Sequence, residues 1–229
     1  MKNRILITLF LISLSSCISI RNRDKLLSFN EIGDSKALRK EGYYYTENYI
    51  KTNPYYRNEY GGYERDSTLT FNQVRISTLS LKQNGSAMKL GSFSGMQDNL
   101  SYNFGIKCNL QDNNTLESAF EHFQCYVNEL KKKNLIFLNS KAEIWDQGVY
   151  KIENNTITIQ IFYNSIGDYS LYEEKGIIKN DSTFVLTNAT DFQTGKKYEI
   201  KKEYKLKKME DFPEIDNFIL KNKKKFNKN

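Results

Sequence analysis

From Trp145 to Thr187 apolar and polar residues alternate, and that alternation confines the chain to a sheet-based fold. Ile157, Ile159, Ile161 and Tyr163 recur at every second position, with Thr158 and Gln160 among the residues between them. A period of two places such residues on one face of a strand. The run begins at Trp145-Asp-Gln-Gly-Val-Tyr150 and turns at Asn154-Asn155. It continues through Gly176-Ile-Ile-Lys-Asn180 and Thr183-Phe-Val-Leu-Thr187. Short alternating strands joined by polar turns form a β-meander, so the remaining strands must extend or close an antiparallel sheet.

The same pattern recurs upstream and downstream. Thr68 to Gln83 carries Val74, Ile76, Leu79 and Leu81; Asn84-Gly85 is a tight-turn pair, and Ala87 to Phe93 is the return strand. Tyr102, Phe104 and Ile106 alternate with Asn103, Gly105 and Lys107, and Cys108 continues their face. Near the C-terminus Tyr198, Ile200, Tyr204 and Leu206 share one face, which Lys202 interrupts, so a bulge or an exposed stretch is expected there. Tyr and Phe are abundant (16 and 14) while Pro occurs only twice, a balance that suits sheets. The reading is a mainly β fold of about eight strands, an antiparallel barrel or a strongly curved sheet. A barrel of that size is either filled by side chains or holds one small ligand.

One segment breaks the period. Leu116, Phe120, Phe123, Val127 and Leu130 are spaced by four and three, the stripe of an amphipathic helix at about 115–133. Asn114 is the expected N-cap, and Lys131 to Lys133 complement the helix C-terminus. Cys125 lies opposite the stripe.

The first sixteen residues are read as a signal peptide. Lys2 and Arg4 precede an apolar run from Ile5 to Leu14, too short to span a bilayer. Leu14-Ser15-Ser16-Cys17 then resembles the bacterial lipoprotein processing box, in which the Cys is acylated with chains such as palmitate and becomes the new N-terminus. Cys17 is therefore the expected lipidation site and the membrane the expected partner. Cleavage there removes Lys2 and Arg4 and lowers the net charge of +7 by two. Residues 17–37 are read as the lipidated N-terminus and a tether, 38–220 as the β domain, and 221–229 as a basic disordered tail. With no acidic run after Cys17, the body is placed on the outer membrane, facing the periplasm. Cys108 and Cys125 would then sit in an oxidising compartment, where the two can bridge; their spacing alone does not decide it.

Basic charge is dispersed along the strands and gathers only at Lys221 to Lys228, which reads as a solvated surface and gives no case for a nucleic-acid partner. Catalytic patterns are absent from the sequence. His122 is the only His, no Gly-x-Ser-x-Gly elbow exists, and Gly61-Gly62 lacks a following Lys-Ser/Thr. Glu173 and Glu174 are adjacent on a strand and point to opposite faces. His122 with Cys125 makes a single pair, insufficient for a metal. The reading is a non-enzyme without cofactor or metal.

Leu38-Arg-Lys-Glu-Gly-Tyr-Tyr-Tyr45, the Trp145–Tyr150 strand, Ile157-Thr-Ile-Gln-Ile-Phe162, the Gly176–Phe184 segment and a closing Lys-Lys-Glu-Tyr-Lys strand resemble the lipocalin-like lipoproteins of Bacteroidetes-type bacteria. The resemblance covers about residues 38–220 and implies a calycin-like barrel with a small hydrophobic ligand. It departs from the secreted lipocalins in lacking an early Gly-x-Trp; Trp145 sits late and is expected to plug one barrel end. Tyr43, Tyr45, Phe104, Tyr150, Ile159 and Phe184 are the residues expected to line a cavity. The alternative role is an envelope assembly protein without a small ligand. It would meet a protein partner through the helix or through the loop from Tyr49 to Tyr63, in and around which eight of the 16 tyrosines fall (43–63).

Overall fold

The computed structural model describes residues 20–29, 37–53, 55–57, 59–60, 63–96, 108, 113–132, 144–165, 168–213 and 217–226. Eight strands close into an antiparallel barrel: β1 (Gly42–Thr52), β4 (Phe71–Leu81), β5 (Ser86–Ser94), β6 (Gln147–Glu153), β7 (Thr156–Ser165), β8 (Asp168–Asn180), β9 (Thr183–Asp191) and β10 (Lys197–Lys208). Each pairs with the next, and β1 pairs with β10 to complete the ring (Tyr44 opposite Leu206). The connection from β1 to β4 carries a separate hairpin, β2 (Tyr55–Arg57) with β3 (Tyr63–Arg65). Among the described residues one long helix, α1 (Leu116–Lys132), two single-turn helices, α2 (Phe218–Lys221) and α3 (Lys223–Phe226), and a 3-10 turn at Arg23–Lys25 accompany the strands.

Local chemistry explains the corners. Asn154 and Asn155 both take positive φ (46° and 72°), the conformation of the tight turn whose twist matches the flanking strands β6 and β7. Gly85 does the same between β4 and β5 (φ 80°). Gly148 answers a different need. A Cβ there would sit 1.8 Å from the Gln160 carbonyl oxygen, so only glycine lets β6 and β7 approach at that point. The register of β9 and β10 slips between Glu199 and Lys202, where Lys202 interrupts the apolar face.

Strand ends define two barrel ends. The turns β4–β5, β6–β7 and β8–β9 lie at one, and the connections β7–β8 and β9–β10 and the β1–β4 excursion at the other. A core drawn from all eight strands fills the first end. Tyr44, Leu79, Leu81, Ala87, Tyr150, Ile157, Ile159, Ile178, Phe184, Leu186 and Tyr204 are buried together. The Tyr44 hydroxyl donates to the Arg39 carbonyl (2.7 Å) and that of Tyr150 to the Lys82 carbonyl (2.7 Å), so both rings are buried with their polar ends satisfied. This end is closed.

The outer wall is covered as well. Helix α1 lies over β1, β4 and β5, burying Phe120, Phe123, Val127 and Leu130 against Tyr43, Ile76, Met88, Leu90 and Phe93. Thr115 rather than Asn114 caps it: the Thr115 hydroxyl accepts from the Ser118 amide (3.2 Å). Asn114 is used instead to hold the helix to β4, accepting from the Val74 amide (2.7 Å) and donating to the Asn72 carbonyl (2.7 Å). A disulfide joins Cys125 to Cys108, with Cα atoms 6.0 Å apart and a sequence separation of 17. Closing a loop of that length restricts the unfolded chain, so reduction should lower stability by about 3 kcal/mol, read as a shift in the urea midpoint with and without reductant.

The opposite wall departs from the sequence reading. Residues 17–37 are expected as a tether, yet from Ile20 to Phe29 the chain is a strap docked along β7 and β8. Ile20 bridges Tyr169, and Arg21 both pairs with Asp168 and donates its amide to the Tyr169 carbonyl (2.7 Å). Further along, the Leu27 amide donates to the Gln160 side-chain oxygen (2.6 Å), and the Gln160 amide group donates to the Lys25 carbonyl (3.1 Å). Leu26, Leu27 and Phe29 pack with Val149, Phe162, Leu171, Ile219 and Phe226. The strap thus gives the outer face of the meander its apolar cover. The basic tail differs too: Lys223–Phe226 is helical, and Phe226 is a buried anchor beside Phe162.

Candidate functional site: the open barrel mouth

Above the filled end the barrel interior opens into a cavity of about 650 Å³ at the second end. Its walls come from inward positions of the meander. Ile161 and Tyr163 are on β7, Tyr172 on β8, Asp191 on β9, and Tyr198, Glu199, Ile200 and Lys202 on β10, with Lys89 and Asp146 across from them. The alternation that defines the strands therefore also builds the site.

The floor is charged. Glu174 sits opposite Ile159 on the inner face and is 3% exposed. Its carboxylate accepts from Lys202 Nζ at 2.6 Å, and Lys89 Nζ lies 3.8 Å away. A carboxylate this deep requires such a partner. Two ammonium groups thus converge on one deep carboxylate and keep donor hydrogens for the cavity, whose wall also carries the carboxyl groups of Asp146, Asp191 and Glu199. Lys89 Nζ also stands 5.4 Å from the Tyr172 ring centroid, within cation–π reach.

Asp146 is the second acid. Its backbone is clamped between strands, with its amide donating to the Phe162 carbonyl (2.8 Å) and its carbonyl accepting from the Lys89 amide (2.9 Å). The φ of 60° is one that Asp and Asn tolerate. Burial pushes its carboxyl up to about 6, while the nearby Lys89 pulls the other way. The ionised form is thus disfavoured in the fold. Its stability cost is absent below about pH 4, grows as pH rises, and is complete above about 6. Asp146→Asn should accordingly stabilise the protein by about 1 kcal/mol at pH 7.5, allowing for solvent screening at the mouth, and by nothing at pH 3.5, as measured by urea unfolding at the two pH values.

Around the upper wall phenols dominate. Tyr163 donates to Asp191 (3.0 Å), and its ring meets Tyr172 edge-on with centroids 6.3 Å apart. Burial raises both phenols, that of Tyr172 to about 12 with the Glu174 charge adding to the effect, so both are neutral donors at physiological pH. Burial also opposes ionisation of Asp191, but donors from Gln193, Thr194 and Tyr163 outweigh it and hold its carboxyl below the usual range. Asp191 thereby fixes the β9–β10 corner and the Tyr163 hydroxyl together.

The residues expected to line a cavity fall in three places. Tyr150, Ile159 and Phe184 are inside the barrel, but in the filled end, wholly buried beneath the cavity. Tyr43 and Tyr45 point outward under α1, where Tyr43 meets Phe123 (4.4 Å) and Tyr45 meets Phe120 (4.8 Å). Both faces of β1 are covered, so apolar alternation there does not distinguish inside from outside. Phe104 and Cys17 lie outside the described residues. Trp145, expected as a plug, stands at the open rim and is 46% exposed. Glu174, Lys202 and Lys89 are what the sequence reading missed. The signal was present in Lys202, a lysine at an inward position of a strand whose other inward residues are apolar or aromatic.

Glu173 and Glu174 do point to opposite faces, yet both are buried, because the strap covers the outer one. There Glu173 accepts from Gln160 (2.7 Å) and pairs with Lys175 (3.0 Å). No group of three or more His, Cys, Asp or Glu side chains placed to hold a metal occurs among the described residues. No helix among them is long and apolar enough to cross a membrane. No protein-family model matches the chain, nor does any curated protein or solved structure, so the reading of function rests on this geometry.

Proposed function

We propose that the chain is a lipid-anchored lipoprotein of the bacterial cell envelope, acylated at Cys17 and held at the outer membrane on its periplasmic side. Its barrel would bind a small amphipathic molecule with an acidic head, such as a fatty acid or envelope lipid. The observation that supports this most is the open cavity over a floor where the ammonium groups of Lys89 and Lys202 converge beside Glu174. Ile161, Ile200 and the tyrosine rings offer an apolar and aromatic wall, and the two ammonium groups an anionic subsite. A wholly apolar ligand would leave those charges without exchange for the water it displaces, so an acid is preferred over the corresponding alcohol.

The test is titration of the full chain with a dansyl-labelled long-chain fatty acid and with its methyl ester. The acid should bind saturably and about tenfold more tightly than the ester, the worth of one charge-assisted hydrogen bond. Lys89→Met should remove most of that preference. Equal affinities, or no saturable binding, would overturn the ligand assignment. The anchor is tested separately: Cys17→Ala should release the protein from the membrane fraction, and retention there would refute acylation as the anchor.

A further inference from the structure

The strap reverses the expected relation between the barrel and its anchor. A tether of twenty residues would lift the domain well clear of a bilayer. Instead the chain is fixed to the barrel from Ile20 onward by the Tyr169 bridge, the Arg21 backbone bond and the Arg21–Asp168 pair. Two residues lie between Cys17 and Ile20, and the three steps of chain reach at most about 11 Å. Asp168 and Tyr169 open β8, so this attachment lies at the open end. From there the strap runs down the wall towards the filled end, where the Arg39 amide bonds the Asp181 carbonyl and the chain enters β1.

The same end carries the barrel's exposed apolar surface. Tyr49, Ile50, Tyr60, Leu69, Trp145 and Tyr198 all stand exposed on strand segments or connections of the open end. Among the described residues Ile177 alone is a large hydrophobic exposed at the filled end. Tyr, Trp and aliphatic side chains around a rim match the chemistry of a bilayer interface, where amphipathic rings sit at headgroup level.

We infer that the barrel sits mouth-down on the membrane, its aromatic rim in the lipid interface and its cavity opening directly onto the bilayer. The occupant of the rim is the lipid surface itself. A lipid-derived acid could then pass between bilayer and cavity without crossing bulk water. This orientation rests on the Cys17 anchor proposed above, and the experiment separates the two.

Trp145 is the only tryptophan and lies on the rim, so the unmodified protein carries its own probe. The acylated full chain is reconstituted into phosphatidylcholine vesicles with brominated acyl chains, and its emission is compared with that in unbrominated vesicles. Trp145 should lose about half its emission, as expected for an interfacial indole. Ile177→Trp in a Trp145→Phe background reports the filled end and should lose about a tenth or less by the same interfacial argument. Equal or reversed quenching overturns the orientation while leaving the anchor intact. Emission shielded from aqueous acrylamide yet unaffected by bromine would place a protein on the rim and overturn it likewise. Absence of acyl mass on Cys17 removes the anchor, and the orientation falls with it.

Discussion

Phe184→Ala should destabilise the protein by about 4 kcal/mol, near the upper end for loss of a buried ring. Phe184 is fully buried in the filled end. It stacks on Tyr204 at 5.1 Å with planes 11° apart and meets Tyr44 at 5.1 Å from the other side. Neither neighbour is free to close the gap. Tyr44 is held by its bond to the Arg39 carbonyl, and both tyrosines belong to strands in a closed hydrogen-bonded ring. A site that cannot collapse keeps its cavity, and the retained cavity sets the cost. Phe184→Leu refills most of the volume and should lose less than about 1.5 kcal/mol. Urea midpoints at unchanged slope would measure both. A Phe184→Ala loss near 1 kcal/mol would mean that this end is not a fixed core.

Lys202→Met should cost about 3 kcal/mol, and the reason lies in its partner. The Lys202 side chain is about a third exposed at the mouth and can be partly hydrated; Glu174 is 3% exposed and cannot. Removing the ammonium 2.6 Å from Glu174 leaves that carboxylate with only Lys89, at 3.8 Å. Replacing both partners, Glu174→Leu with Lys202→Met, should recover most of the loss, since an apolar pair of similar volume no longer has a charge to compensate. A double-mutant cycle should therefore give a coupling of about 2 kcal/mol. Coupling within a few tenths of zero would show that the pair behaves as a surface ion pair and that the floor is open to water. The double variant keeps Lys89 and should retain the preference for an acidic ligand that Lys89→Met loses, which separates the binding role of the floor from its structural one.

Strand positions were legible because a period of two is imposed by backbone geometry and needs no tertiary information. The Asn84-Gly85 and Asn154-Asn155 turns and the α1 stripe were legible for similar local reasons. The inner and outer faces were not. Tyr43 and Tyr44 are both buried, one under α1 and the other inside the barrel, so composition carries no sign of direction. The strap was illegible for a different reason. Its apolar residues, Ile20, Leu26, Leu27 and Phe29, meet the wall irregularly and obey no secondary-structure period. The site followed from the faces: once the apolar rings are placed in the filled end, the polar residues on the same inner faces become the cavity.

The ring is completed by β1 and β10, the first and last strands of the barrel, with Tyr44 meeting Leu206 across roughly 160 residues of chain. The meander from β6 to β10 can form from neighbouring hairpins, but closure waits for the last strand to emerge. A contact of such long range slows the final step of folding, and until it forms both edges offer unpaired backbone to other chains. The interval before closure is when the chain is most exposed to aggregation, and truncation that removes β10 should leave both edges open.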